Sequence, residues 1–368
     1  MSARAGVWVI PAASLVVAMG GCIEPAPSGP DECALAGEPL HTGALFDVVG
    51  FGDVEICEGS LAEAEAHAAW VAEVWGETPD VFEYRLYASR DHSCWPCEGL
   101  HFSFGACAKS GYLATTRAAD LHELTHSVRP GTCASLIEEG WATLFGDHFL
   151  QSDTVGTLAD VADAGRSAPG FYPFAARFVA FVTDTYGLDA VKALCVHPIV
   201  DAASLDAALQ AELGQTLDAV SAQLDAYPQW ELGELRQDRA CEFGDAPLLS
   251  PGVWTFDLRC GAPGASGQPG GAMMAAQEIE LPEFGAYSFD FAPAAGSPTD
   301  YSLRYELRSC AREGMASVYF THGLVHSKMD GSGNISLYEL PAGTYVLRVM
   351  LEDTAEPVTL AASVERWF

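Results

Sequence analysis

Two histidines four residues apart, His122 and His126, place the strongest constraint on how this chain can fold. Four residues of an α-helix turn through about 400° and rise about 6 Å, so both imidazoles lie on one face and can reach a single ion. Glu123 projects about 100° away from His122. That direction suits its carboxylate to take a proton from a metal-bound water rather than to bind the metal. The pattern predicts a zinc site carried by a helix.

A second helix is expected to supply a further ligand, because a catalytic zinc site normally has three protein ligands. Residues 129–131, Arg-Pro-Gly, should end the first helix, and apolar periodicity resumes near Ser135. Glu138 and Glu139 then point about 100° apart, so only one of them can face the histidines. Gly140 costs a helix interior about 1 kcal/mol relative to Ala. It therefore indicates a close approach by another backbone or by the metal.

The motifs HELTH (122–126) and IEEGWA (137–142) resemble the gluzincin branch of the zincin metallopeptidases. There HExxH supplies two histidines, and a downstream glutamate immediately before a glycine completes the site. The resemblance implies that His122, His126 and Glu139 bind Zn²⁺ and that Glu123 is the general base in peptide-bond hydrolysis. A chance match is disfavoured by the placement of the third ligand and by the helix break between the motifs.

The resemblance covers roughly residues 111–227, because segments 172–182, 186–194 and 208–220 are similar to the helices that follow the metal site in that clan. Tyr172 is a candidate donor to the oxyanion, as a phenol or histidine is in related enzymes, with aromatic packing as the alternative. Thr143 departs from the family, since many relatives carry an acidic residue four positions after the ligand glutamate. This leaves open which group hydrogen-bonds to the predicted metal-binding histidines and orients them.

The first 21 residues are typical of an export signal, with one basic residue, an apolar run over residues 5–19, and Gly-Gly before Cys22. Small residues before a cysteine resemble the bacterial lipobox, so we expect membrane contact through a lipid on Cys22. A plain signal peptide or an anchor helix is the alternative. Residues 22–32 form a polar, proline-rich tether. We expect a protein of the cell envelope, anchored at the outer membrane or cell surface, or else secreted.

The remaining cysteines favour disulfides, because ten are left once Cys22 is assigned to lipid and the compartment is oxidising. Cys94 and Cys97 form a CxxC pair that we interpret as structural, since no second CxxC completes a four-thiolate zinc site. Clustering along the chain predicts bridges within each domain, for instance between Cys260 and Cys310.

The domain organisation predicted from these patterns is α+β, with two folded units. Residues 33–240 form a zincin-like domain, in which a small mixed sheet lies over the metal-binding helices. Strands are expected near 48–57, 81–89 and 101–104, with a helix over 60–75. In the family, the edge strand of such a sheet holds the peptide substrate, and residues 111–116 are the candidate edge.

Residues 241–368 alternate apolar and polar positions between Gly- and Pro-rich turns, which predicts a β-sandwich or jelly roll. The segment 340–349, LPAGTYVLRV, is similar to the last hairpin of pre-peptidase C-terminal modules. His92 and His101 have no partner at ligand spacing, so we expect them at the surface or in packing contacts. His322 and His326 are expected at the surface beside the segment 330–334. The segment 330–334 fails the full calcium-loop pattern and is interpreted as a turn.

Charge and motif together favour one function and exclude another. Acidic residues outnumber basic ones by 50 to 18, and a net charge of −32 argues against nucleic acid or anionic lipid surfaces as partners. We expect a zinc metallopeptidase with a peptide or protein substrate. The alternative is a surface-anchored binding protein whose zinc is structural or lost and whose function lies in the β-sandwich. An open coordination position on the metal favours the enzyme.

The leader prediction is checked by intact-mass analysis of membrane-extracted protein. We expect a mature chain that begins at Cys22 and carries the added mass of lipid. A chain that retains Met1, or a water-soluble chain that starts elsewhere, contradicts the assignment.

Overall fold

The computed structural model describes most of the chain from residue 37 onward. The described ranges are 37–76, 79–97, 106–128, 133–146, 156–227, 250–262, 264–267, 272–294, 302–310, 325–326, 336–352 and 358–366. The predicted export signal, lipidation site and tether lie outside them, as do His101, His322 and the segment 330–334.

The N-terminal part contains a five-stranded mixed sheet in the order β1-β2-β3-β5-β4. Its strands are β1 (Glu38–Thr42), β2 (Phe46–Phe51), β3 (Phe82–Tyr87), β4 (Ala106–Lys109) and β5 (Tyr112–Thr115). The three inner strands β2, β3 and β5 run parallel, and β1 and β4 are antiparallel edges. Helix α1 (Glu58–Trp75) connects β2 to β3, as the link between parallel strands requires.

The predicted edge strand, residues 111–116, is wrong, because β5 has a neighbour on each side. It pairs with β3 in parallel and with β4 in antiparallel orientation. The chain reverses at Gly111, whose φ of 83° suits glycine. This tight turn places β4 beside β5, on the side away from β3. Within the part of the chain that the structure describes, the edge of the sheet on this side is therefore β4. The expected strand at 101–104 lies outside the described residues.

Seven α-helices follow the sheet among the described residues, and they enclose one apolar core with it. They are α2 (Leu121–Val128), α3 (Ser135–Gly146), α4 (Leu158–Ala164), α5 (Phe171–Tyr186), α6 (Leu188–Cys195), α7 (Ala202–Leu213) and α8 (Leu217–Ala226). The first helix ends at Val128 and the second begins at Ser135, as predicted. Helix α5 lies at the centre of the layer, where nine of its side chains are buried. The segment 208–220 spans two helices, because the chain turns at Gly214 (φ 65°).

The C-terminal part consists of antiparallel strands in two sheets of order β11-β10-β13-β8-β7 and β12-β9-β14-β6. The strands are β6 (Val253–Leu258), β7 (Ala265–Gly267), β8 (Met273–Leu281), β9 (Gly285–Pro293), β10 (Ser302–Ser309), β11 (Val325–His326), β12 (Ser336–Leu340), β13 (Gly343–Glu352) and β14 (Val358–Arg366). Phe289 and Leu360 from one sheet share an apolar cluster with Ile279 and Leu347 from the other. This arrangement resembles a β-sandwich.

The predicted hairpin over 340–349 is wrong. Strand β12 pairs with β9, whereas β13 pairs with β8 and β10, so the two strands belong to different sheets. Only Pro341 and Ala342 separate them. The alternating pattern correctly indicates two strands, but alternation cannot distinguish a hairpin from a link that crosses between sheets.

Three disulfides join described cysteines: Cys57–Cys260, Cys97–Cys107 and Cys133–Cys195. Cys97 therefore does not pair with Cys94 within the CxxC motif, and Cys94 is itself disulfide-bonded. The disulfides indicate an extracytoplasmic protein. Among the described residues, no helix combines the length and the apolar character needed to cross a membrane.

The expected pairing of Cys260 with Cys310 is wrong, and so is the expectation that bridges stay within one predicted domain. Cys57 precedes α1 and joins Cys260 in the C-terminal part. The contact around it explains why. A Cβ on Gly59 would lie 2.0 Å from the carbonyl oxygen of Ala265, so the start of α1 packs directly on β7. Ser60 Oγ also donates to the Gly267 carbonyl at 2.8 Å.

Removal of this bridge tests its contribution to stability. We expect the double variant Cys57→Ser/Cys260→Ser to lose about 2–4 kcal/mol in free energy of unfolding, because the bridge spans 203 residues of chain. Cys97→Ser/Cys107→Ser, which opens a separation of only 10 residues, should lose less. Guanidinium unfolding followed by fluorescence measures both, and an equal or reversed order contradicts the prediction.

Candidate metal centre

Helix α2 is held at its first turn by a buried aspartate. Asp120 Oδ1 accepts from the Glu123 backbone N–H at 3.3 Å, the position of an N-cap. Its Oδ2 accepts from Thr115 Oγ1 at 2.7 Å, and its own backbone N–H donates to the Tyr84 hydroxyl at 2.9 Å. The start of α2 is therefore fixed to β5 and β3. Sequence analysis missed Asp120, although aspartate three residues before a glutamate is an N-terminal signal.

Two glycines let α3 approach its neighbours. A Cβ on Gly146 would lie 2.3 Å from His122 N and 2.4 Å from His122 Cα, so the end of α3 touches the backbone of α2. A Cβ on Gly140 would lie 2.4 Å from the carbonyl oxygen of Ala175 on α5. The expectation of a close approach at Gly140 is confirmed, and the group that approaches is a backbone. Gly146 was not identified from the sequence.

A third histidine, His67 on α1, supports α2 from the opposite side. His67 is 3% exposed, and its Nε2 lies 2.9 Å from Thr125 Oγ1. The Thr125 hydroxyl donates to the Leu121 carbonyl at 2.7 Å, so it accepts from the imidazole N–H. This contact binds α1 to the helix that carries the HELTH motif. Sequence analysis also missed this residue, because a lone histidine on a helix carries no motif.

His122, His126 and Glu139 form a group that could hold a metal ion. His122 Nε2 lies 3.2 Å from His126 Nε2 and 3.2 Å from Glu139 Oε2, and His126 Nε2 lies 3.4 Å from the same oxygen. Ligands about 2.0–2.1 Å from a tetrahedral zinc ion are separated by roughly 3.3–3.4 Å. The three donor atoms thus have the spacing of one face of such a site, and their chemistry fits the ion.

Further charged groups surround these three residues. Glu138 does not belong to this three-residue group. Its Oε1 lies 3.6 Å from the other ring nitrogen of His126, Nδ1. Arg166 forms an ion pair with Glu139 through Nη2 and Oε1. Thr143 is buried on α3, one turn beyond Glu139, and provides no carboxylate there.

Burial and neighbouring charges alter the acidity of these groups. Burial raises the pKa of the Glu123 carboxyl to about 7, against the opposing effect of His126 and His122. Burial also opposes the charged forms of Glu139 and His126, but hydrogen bonding between them and neighbouring groups outweighs it. The pKa of Glu139 therefore lies well below its usual range, and contacts with Glu138 and Glu139 raise the pKa of His126 to about 9.

Tyr172, in the first turn of α5, lies beside the group. Its ring centroid is 6.0 Å from that of His122 and 5.7 Å from that of Phe171. The structure thus brings Tyr172 next to a predicted ligand. His92 lies elsewhere, where its ring packs against Phe51 and Tyr87.

Comparisons with known proteins provide little evidence beyond the geometry of the site. No family model and no curated protein matches the chain. Among solved structures, it is similar to the pre-peptidase C-terminal domain of a collagenase from Bacillus anthracis, at 12% identity over 33% of this chain and 95% of that chain, with a TM-score of 0.22. It is also similar to TmCBM61 in complex with β-1,4-galactotriose, at 15% identity over 31% of this chain and 70% of that chain, with a TM-score of 0.17. The function proposed below rests on the site geometry.

The raised pKa of His126 predicts that metal binding releases a proton. Below a pKa of about 9 the metal-free imidazole is protonated, and a metal must displace that proton. We expect the apparent zinc affinity, measured by chelator competition, to rise up to ~10-fold per pH unit and to level off near that value. Glu138→Gln, which removes one of the carboxylates that raise this pKa, should make the affinity level off at a lower pH. A pH-independent affinity contradicts the prediction.

Proposed function

We propose that the protein is a gluzincin-like zinc metallopeptidase that hydrolyses peptide bonds outside the cytoplasm. The observation that carries this proposal is the convergence of His122 Nε2, His126 Nε2 and Glu139 Oε2 within 3.2–3.4 Å of one another. Two imidazoles and one carboxylate are a donor set used by catalytic zinc, which keeps one position free of protein ligands. When bound, the zinc would act as a Lewis acid towards the scissile carbonyl and the attacking water.

Glu123 is the proposed general base. It follows His122 on the same short helix, and its pKa of about 7 is close to the value at which a carboxyl can both accept and return a proton near neutral pH. Glu123 is not needed as a ligand, because Glu139 supplies the carboxylate that lies next to the Nε2 atoms of both histidines. Glu123 would take the proton of the attacking water and pass it to the leaving amine.

Tyr172 is the proposed donor to the oxyanion. Its ring lies beside His122, at the start of a helix whose later residues form the core. A phenol near the developing negative charge would stabilise it by a hydrogen bond.

The proposed substrate is an extended peptide or protein segment paired with β4. This strand is the antiparallel edge of the sheet, and an edge strand offers backbone N–H and C=O groups to an added strand. The Cys97–Cys107 disulfide anchors it, and β4 packs close to α2, which carries the histidines. The net charge of −32 argues against nucleic acid as a partner. We further propose that lipid on Cys22 anchors the enzyme at the cell envelope.

The base is tested by Glu123→Gln in the full mature chain. We expect the variant to keep its fold and its zinc, and to lose about 10²–10⁴-fold in hydrolysis of a generic protein substrate. Glu73→Gln, an exposed position on α1, serves as the control and should retain activity. Full activity in Glu123→Gln shows that another group is the base, and purified wild-type protein without stoichiometric metal refutes the proposed function.

The third ligand is tested by zinc titration of two alanine variants. Glu139→Ala should lose far more affinity than Glu138→Ala, because a group that only supports a ligand is typically worth about 10–100-fold. Near-wild-type affinity in Glu139→Ala, together with loss in Glu138→Ala, reverses the assignment.

A further inference from the structure

Arg166 lies in a short 3-10 turn, Gly165–Ser167, between α4 and α5, and it reaches the group from a side that the predicted motifs do not cover. Its Nη2 contacts Glu139 Oε1, while Glu139 Oε2 faces the two imidazole nitrogens. The Glu139 side chain is only 5% exposed, and that of Arg166 is 30% exposed. The two oxygens of one buried carboxylate are thus committed to different partners.

We propose that Arg166 is a positioning residue that reserves Oε1 of Glu139, so that this glutamate offers only Oε2 to a metal ion. The inference rests on the proposed function, because it assumes a metal at His122, His126 and Glu139. A carboxylate that binds with both oxygens occupies two positions around the ion. Catalytic zinc sites need one position that protein does not fill. By holding Oε1, Arg166 keeps that position open for water or substrate.

The contact between Arg166 and Glu139 runs through Nη2, and Nε takes no part in it. Arg166 Nε is buried and has no hydrogen-bond partner among the described residues, so the guanidinium does not grip the carboxylate through Nε and Nη2 together. A bidentate Arg–carboxylate pair cannot be reproduced by lysine, but a single N–H···O contact can. Arg166→Lys should therefore retain the function of the residue.

Electrostatics separates this role from a contribution to folding alone. A positive guanidinium beside a ligand repels an incoming dication, so it weakens metal binding while it shapes the site. If Arg166 only stabilised the fold, its removal would loosen Glu139 and reduce the affinity. If Arg166 reserves Oε1, its removal frees a second oxygen and takes away a repelling charge. The affinity should then hold or rise while the coordination changes.

The test uses Co²⁺ as the probe in the full mature chain, because the visible d–d bands of this ion lose intensity as its coordination number rises from four to five. We compare wild type, Arg166→Ala, Arg166→Lys and Glu139→Ala, with Arg259→Ala as the control. Arg259 also forms an ion pair, with Asp257, but in the C-terminal part. Titration against a chelator gives the Kd, and absorbance per bound cobalt gives the coordination signature.

We expect Arg166→Ala to bind Co²⁺ with wild-type or up to ~10-fold higher affinity and with lower band intensity per bound cobalt than wild type. Arg166→Lys and Arg259→Ala should match wild type in both readouts. A wild-type spectrum in Arg166→Ala overturns the inference. So does an altered spectrum with an affinity as low as that of Glu139→Ala, since that result means the glutamate is lost as a ligand.

A folding check and the wild-type controls make the result decisive. Circular dichroism establishes that each variant is folded, and if Arg166→Ala is not, the neutral Arg166→Gln is judged by the same two criteria. Wild-type protein that takes up no cobalt overturns the inference and the proposed function together. Wild-type protein that binds cobalt but hydrolyses no peptide in its zinc form overturns only the proposed function, and the spectra still decide the role of Arg166.

Discussion

The candidate metal centre depends on how closely the backbones of α2 and α3 approach each other. At Gly146 there is no room for even one methyl group, since a Cβ would lie within 2.4 Å of both the N and Cα atoms of His122. This contact places Glu139, nearly two turns earlier on α3, opposite the histidines of α2. Asp120 and His67 hold α2 from its other sides. Helix positions, rather than loops, therefore set the separation of the three donor atoms, as a precise ligand geometry requires.

The surroundings of the site balance opposite charges at short range. Glu138, Glu139 and Glu123 bring three carboxylates near two imidazoles, and Arg166 adds a fixed positive charge. Because burial penalises each charged form, every ionised group needs a partner within a few ångströms. The contacts of Glu139 with both imidazoles hold its pKa well below its usual range, whereas burial raises the pKa of Glu123 to about 7. The same enclosure thus leaves one carboxylate ionised and holds another near neutral pH, as the proposed ligand and the proposed base require.

Local sequence patterns predicted part of this architecture. The spacing of His122 and His126 and the break before Ser135 follow from short-range rules. The helix predicted over 60–75 and the strand predicted over 81–89 lie close to α1 and β3, whereas the strand predicted over 48–57 is observed at 46–51. What the sequence did not reveal depends on contacts between distant segments. The edge position of β4, the Cys57–Cys260 bridge and the approach of Arg166 to Glu139 each join elements that no local period links. The choice of Glu139 over Glu138 came from the family motif, since helix geometry alone left both open.

The Cys57–Cys260 bridge has a consequence for the response of the chain to proteolysis. The covalent loop between these cysteines contains all the residues of the candidate site, together with the segment 228–249 that leads to the C-terminal strands. A single cut at any point inside this loop leaves both fragments joined through sulfur. The nicked molecule would migrate as one species until it is reduced, and its sandwich-like part could not diffuse away from the helices that carry the histidines.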